Sequence, residues 1–82
     1  MILTITGDEK IRTGRTLKYK VNGIEPVEFS VDNINLCSVR KLDDFTCELV
    51  ANSRNEIGKV VLKAKTALGK ETSKIIEVVP LW

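Results

Sequence analysis

Two cysteines are the side chains of this chain best suited to chemistry, because a thiol can act as a nucleophile, a metal ligand or a disulfide partner. Cys37 and Cys47 are the only cysteines, and the chain contains no histidine. It therefore lacks the commonest general base and the commonest metal ligand. A serine or cysteine nucleophile would need some other activating base, so the sequence predicts a protein that is not an enzyme.

Three arrangements of Cys37 and Cys47 remain open, since both fall on inward positions of neighbouring predicted strands. In the arrangement we favour, both are free thiols that fill the core as small apolar side chains. In the second, a disulfide joins the two strands, although a bridge across one hairpin closes a short loop and stabilises less than a bridge that closes a long one. In the third, they bind a metal, for which two thiols alone are a poor ligand set. No cofactor is predicted.

Acidic residues form three short clusters, at 8–9, 32–33 and 43–44. Calcium needs roughly six to eight oxygens that converge on one point, and none of these clusters has the pattern of a calcium loop. Asp and Asn side chains also bind their own backbone in tight turns. We therefore expect turns at these positions and no metal site.

Alternation of apolar and polar residues runs through most of the chain and predicts strands with one buried face. Seven strands are predicted, at 2–6 (with 11–13 as a continuation after a kink), 16–21, 27–32, 37–39, 45–51, 60–65 and 72–79. Short strands with turns at regular spacing predict an all-β fold, an immunoglobulin-like β-sandwich of about seven strands in two sheets. The third, sixth and seventh strands are expected in one sheet and the other four in the second.

The inward positions of these strands predict the core. They are Leu17, Tyr19, Val21, Val27, Phe29, Val31, Leu49, Val60, Leu62 and Ala64. The outward positions carry opposite charges on neighbouring strands, where each pair contributes roughly 0.2–1 kcal/mol. The expected neighbours are Glu28 and Asp32 with Lys63 and Lys65, and Lys18 and Lys20 with Glu48.

The composition fits a single folded domain over residues 1–82, which we expect to be a fragment of, or a terminal module on, a larger protein. The chain is 43% hydrophobic and 29% charged, as in ordinary globular proteins. Its 13 basic residues are interleaved with 11 acidic ones, giving a net charge of +2 without the basic cluster of a nucleic-acid binder. No apolar run approaches the roughly 18 residues of a membrane span.

The order of five segments, 5–7, 17–21, 27–33, 47–52 and 58–64, resembles the bacterial immunoglobulin-like domains of group two. These domains occur in surface adhesins and in bacteriophage virion proteins. The chain departs from the family at Phe29, where a tryptophan is frequent, and in a longer and more polar loop after Ala51. The family has no common catalytic residues, so none is carried over to this chain.

The resemblance implies a non-enzymatic accessory domain of a phage virion structural protein, made in the bacterial cytoplasm and displayed on the virion. The implied partners are the other domains of that larger protein and host-surface carbohydrate, bound weakly. The alternative is a repeat or spacer module of an adhesin on the bacterial cell surface. Candidate recognition loops are 22–26, 41–44 and 52–58, and Leu81 with Trp82 is either a frayed end or a contact with a neighbouring domain.

Overall fold

Every regular element in the computed structural model, which describes residues 3–80, is a β-strand. The strands are β1 (Ile5–Thr6), β2 (Lys10–Arg12), β3 (Thr16–Val21), β4 (Val27–Val31), β5 (Cys37–Lys41), β6 (Thr46–Ala51), β7 (Gly58–Thr66) and β8 (Glu71–Val79). The start of the first predicted strand, at residue 2, and the predicted contact through Leu81 and Trp82 lie outside the described residues.

The strands form two four-stranded sheets, which confirms the predicted sandwich. The first sheet has the order β1-β3-β6-β5 and the second the order β2-β8-β7-β4. All neighbours are antiparallel except β2 and β8, which are parallel. The prediction that residues 11–13 continue the first strand was wrong, because the chain crosses between β1 and β2 from the first sheet to the second.

Gly7 and Tyr19 make this crossing possible. The buried Tyr19 ring lies beneath the crossing segment, and its hydroxyl donates a hydrogen bond of 2.7 Å to the Asp8 carbonyl. A Cβ atom on Gly7 would lie 2.6 Å from Cε2 of that ring, closer than real contacts allow. Burial, with a contribution from the Asp8 charge, raises the pKa of Tyr19 to about 12, so the hydroxyl stays a donor at any ordinary pH.

The core lies between the two sheets. Of the residues predicted to form it, Tyr19, Val21, Val27, Leu49, Val60, Leu62 and Ala64 are buried, while Leu17, Phe29 and Val31 are partly buried and pack against the others. Phe29 and Val31 lie on β4, which is an edge strand. A neighbouring strand, β7, therefore shields them on one side only. Further core residues come from five strands and one loop: Ile5, Ile11, Leu36, Cys37, Cys47, Ala51, Ile76 and Val78.

The connections between strands divide between two ends of the sandwich. The Asn52 end comprises 13–15, 32–36 and 52–57, where the Asn52 backbone bonds Gly14 at 2.7 Å and Leu36 at 2.9 Å. The Phe45 end comprises 22–26, 42–45 and 67–70, where the Val21 amide donates to the Phe45 carbonyl at 2.8 Å. Two of the three predicted recognition loops therefore lie at the Phe45 end and the third, 52–58, at the Asn52 end.

The predicted charge pairs are only partly in register, and none forms an ion pair within residues 3–80. Glu28 lies opposite Lys65, yet its carboxylate contacts Lys41 of β5 at 3.2 Å, across the open side of the sandwich. Asp32 accepts a hydrogen bond of 2.9 Å from the Val61 amide instead of reaching a lysine. The neighbours Glu28 with Lys65 and Lys18 with Glu48 are therefore confirmed, whereas the predicted position of Asp32 beside a lysine was wrong because Asp32 lies beyond the end of β4.

Replacing Gly7 with alanine should destabilise the domain by about 3 kcal/mol, because the new methyl group would overlap the Tyr19 ring. Gly69→Ala is the matched control, since Gly69 has a φ of 92° but nothing within 4 Å of an added Cβ. Gly69→Ala should lower the free energy of unfolding by only about 1 kcal/mol, because alanine is less stable than glycine in a left-handed backbone conformation. Urea unfolding measures both, and equal losses would contradict the close packing of Gly7 on Tyr19.

Candidate functional site

The two thiols are buried and free, and they do not form a site together. Cys37 lies opposite Ala51 on β6, whereas Cys47 lies on β6 opposite Lys41. Along β6, Cys47 is therefore four positions away from Ala51, the partner of Cys37, which is about 13 Å on an extended strand. A disulfide needs Cα atoms within about 7 Å, so this register does not place the thiols for a direct bridge. Burial raises the pKa of each to about 11, which keeps both protonated and unreactive.

Two of the three acidic clusters, at 32–33 and 43–44, hold turns through side-chain hydrogen bonds, whereas residues 8–9 lie in the crossing between β1 and β2. Asp43 accepts a hydrogen bond of 2.9 Å from the Phe45 amide, which lowers the pKa of its carboxyl group. Asn33 does the same for the Asn35 amide at 3.1 Å. Within residues 3–80 no three His, Cys, Asp or Glu side chains converge on a metal position. The same residues contain no helix long and apolar enough to cross a membrane.

A groove lies at the Asn52 end of the described surface. Its volume is about 400 Å³, and it is lined by Gly14 and by residues 34–38 and 50–54. Its exposed apolar side chains are Ile34, which is 77% exposed, and Val50, which is 37% exposed. A smaller depression at the Phe45 end, beside Leu3 and Ile24, has a volume of only about 60 Å³. We take the groove as the candidate site.

Asn52 organises the wall of this groove through four side-chain hydrogen bonds. Its Nδ2 donates to the carbonyls of Leu36 and Glu56, each at 3.0 Å. Its Oδ1 accepts from the amides of Arg54 at 3.0 Å and Glu56 at 3.1 Å. These bonds fold the 52–57 loop around one side chain and attach it to the segment before β5. The loop therefore presents an ordered surface.

Arg54 supplies the cationic side chain of the groove, and its charge is balanced locally. Its guanidinium donates to the Asn35 carbonyl at 2.7 Å and to the Glu56 carboxylate at 3.0 Å. This contact lowers the pKa of Glu56 and raises that of Arg54. Because the pair is close to neutral, the groove favours a neutral or mixed ligand over a strongly charged one.

The groove carries side chains suited to non-covalent binding. Ser38 and Ser53 supply hydroxyl groups, but no described lining residue is a general base that could activate them. Cys37 lines the inner wall as a buried, protonated thiol. Exposed Ile34 and Val50 beside amide, hydroxyl and guanidinium groups can hold a partner that is partly apolar and partly polar.

Comparison with known proteins identifies the fold class. No protein-family model matches the sequence, and no curated protein matches it. The crystal structure of the titin domains z1z2 in complex with telethonin aligns with a TM-score of 0.60 and 17% identity. The alignment covers 98% of this chain and 48% of that one, so the chain spans about half the length of the solved structure. This chain has an immunoglobulin-like fold.

Sequence reasoning found one part of the groove and missed the rest. The 52–58 loop was a candidate for recognition, but Ile34 was not, and Leu36 was absent from the predicted core. The signal for the loop was present in the sequence: an asparagine at the end of a strand, followed by polar residues, can bond several backbone groups at once. The groups on the 33–36 segment that bind this loop can be identified only from the folded structure.

Removal of the Asn52 side chain should loosen the groove wall. We expect Asn52→Ala to lower the free energy of unfolding by about 2–3 kcal/mol, because four hydrogen bonds are lost. Amide hydrogen exchange at Arg54 and Glu56 should accelerate. Asn35→Ala, on the same rim, should change stability by less than about 0.5 kcal/mol. Equal effects of the two substitutions would refute the role of Asn52.

Stability should fall at alkaline pH because the buried thiols resist ionisation. Each thiol has a pKa of about 11 in the folded protein against an ordinary 9.0, so above pH 9 the unfolded chain releases protons that the folded chain retains. Each group then lowers stability by about 1.4 kcal/mol per pH unit up to its folded pKa. Urea unfolding from pH 7.5 to 10.5 measures the decline.

The control for this titration is the double variant Cys37→Ala/Cys47→Ala. It should be less stable than the wild type at pH 7.5 because of the cavities, but its stability should stay level until Tyr19 begins to contribute above pH 10. A wild type and a double variant that decline with the same slope between pH 9 and 10 would contradict the assignment to the thiols.

Proposed function

We propose that this chain is a non-enzymatic immunoglobulin-like accessory domain of a phage virion structural protein, displayed on the virion surface. In this role it contacts other domains of the same structural protein and aids weak attachment to host-surface glycans. The single observation that carries the binding role is the groove at the Asn52 end, with its ordered wall and its mixed apolar and polar lining.

The virion assignment is supported by the resemblance of segments 5–7, 17–21, 27–33, 47–52 and 58–64 to group-two domains. The immunoglobulin-like fold agrees with it without distinguishing among the many roles such domains have. The solved titin domains were crystallised in complex with a protein, telethonin, and a protein partner is the other ligand class that we propose for this groove.

A repeat or spacer module of a bacterial cell-surface adhesin is the second candidate. The same resemblance supports it, because group-two domains occur in both settings. The parent sequence separates the two candidates: flanking head or tail domains support the virion role, whereas tandem copies with a wall anchor support the adhesin.

Glycan attachment is tested by displaying the isolated domain in many copies on beads or on an array, since multivalent display makes weak binding measurable. We expect binding to a subset of bacterial surface glycans, reduced at least about fivefold by Ile34→Ser combined with Val50→Thr. Ile24→Ser, at the Phe45 end and equally exposed to solvent, is the matched control and should bind as the wild type does.

An array without signal would refute the glycan part of the proposal and leave a protein-contact role. Binding that survives the groove substitutions but is lost in Ile24→Ser would move the site to the Phe45 end. Both variants change exposed side chains, so circular dichroism and melting temperatures should match those of the wild type.

A further inference from the structure

The outer face of the second sheet carries an ordered pattern of charges on its two central strands. The outward residues of β7 are Lys59, Val61, Lys63 and Lys65, and those of β8 are Glu71, Ser73, Ile75 and Glu77. Every charge on β7 is therefore positive and every outward charge on β8 is negative. Ile75 lies among them with 62% of its side chain exposed.

The strand register arranges these residues in four rows. Lys59 lies opposite Glu77, Val61 opposite Ile75, Lys63 opposite Ser73, and Lys65 opposite Glu71. Two rows thus combine opposite charges, and the row between Lys59 and Lys63 is apolar. We call these eight residues the β7–β8 face.

Most of the charged side chains on this face form no ion pair within the described part of the chain. Lys59, Lys63, Lys65 and Glu71 form no ion pair with any of residues 3–80. Glu77 has only Lys10 of β2, at a distance of 4.0 Å. Glu28, which lies on the other side of Lys65, is held by Lys41 instead. The face therefore keeps charged side chains that can pair with a second molecule.

We propose that a second copy of this chain docks on the β7–β8 face, related by a twofold axis that lies in the interface, parallel to the strands and between β7 and β8. This axis places β7 of one copy over β8 of the other at the same row. Lys59 then faces Glu77 of the second copy and Lys65 faces Glu71. Val61 faces Ile75 in the apolar row, and each contact occurs twice.

The alternative face-to-face arrangement, with the axis perpendicular to the strands, is disfavoured by the same pattern. It would keep β7 over β7 and reverse the order of the rows. Lys59 would then face Lys65 of the second copy, and Glu77 would face Glu71. Like charges at all four outer positions repel, so the charge pattern selects the first arrangement.

The size of the face predicts a weak dimer. Four rows span about 20 Å along the strands, and the narrower dimensions of the domain are 19 and 18 Å. Roughly 400 Å² per copy would be buried, about half of the ~800 Å² in a standard interface. We therefore expect a dissociation constant weaker than about 1 μM, and dimers that form at high concentration or when many copies are held together.

Charge exchange tests this arrangement. Lys59→Glu/Lys65→Glu makes the outer positions acidic on both strands, and Glu71→Lys/Glu77→Lys makes them basic. Sedimentation equilibrium between 10 μM and 1 mM should show a self-associating wild type and two variants that associate at least about tenfold more weakly. An equimolar mixture of the two variants should associate at least as tightly as the wild type, because each row is then complementary between unlike copies.

Lys18→Glu/Lys20→Glu, on the outer face of the first sheet, is the control because it lowers the net charge by the same amount as Lys59→Glu/Lys65→Glu. It should associate as the wild type does. Raising the salt from 50 mM to 1 M should weaken wild-type association about tenfold. Three results would each overturn the proposal: a wild type that is monomeric at 1 mM, variants that associate as the wild type does, or a mixture that does not associate. Circular dichroism establishes that every variant is folded.

Discussion

The burial of every second side chain of β7 is the constraint on which the rest of the structure depends. Val60, Leu62 and Ala64 are fully buried between the sheets, and β7 is paired on both sides, with β4 and with β8. Because successive side chains of a strand point to opposite faces, the same burial places Lys59, Lys63 and Lys65 on the outer face of the sheet. A slip of one residue would bury lysines and expose the core, which makes the register strongly determined.

The first sheet is attached to this core by a small number of specific contacts. Tyr19 fills the space beneath the crossing from β1 to β2, and Gly7 is required there because no side chain fits against the ring. At the Asn52 end of the sandwich, Asn52 joins the 52–57 loop to the segment before β5. The core thus determines which residues lie on the outer faces of the sheets, whereas single polar side chains determine the shape of the groove. The binding surface proposed at the groove and the associating surface proposed on the β7–β8 face share no residues, so each can be tested without the other.

Much of the fold is predictable from the sequence, because alternation is a local property. Val27, Leu62 and Ala64 could be placed in the core from their spacing, and sheet membership followed from the order of strands. The crossing at Gly7 could not be predicted, since parallel pairing of β2 with β8 joins segments far apart in the chain. The distance between Cys37 and Cys47 depends on the register of the β5–β6 hairpin. Knowing that both side chains point inward does not determine that register. The groove needs Ile34 and Arg54 together, and only the folded chain brings their loops to one end.

The most direct test of this account is the β7–β8 register in solution. Nuclear Overhauser contacts across the two strands should place Lys59 opposite Glu77 and Lys65 opposite Glu71, and the amides of Val60, Leu62 and Ala64 should be among the slowest to exchange. Contacts displaced by one residue, or exchange of these amides as fast as in the 67–70 turn, would contradict both the core and the charged face.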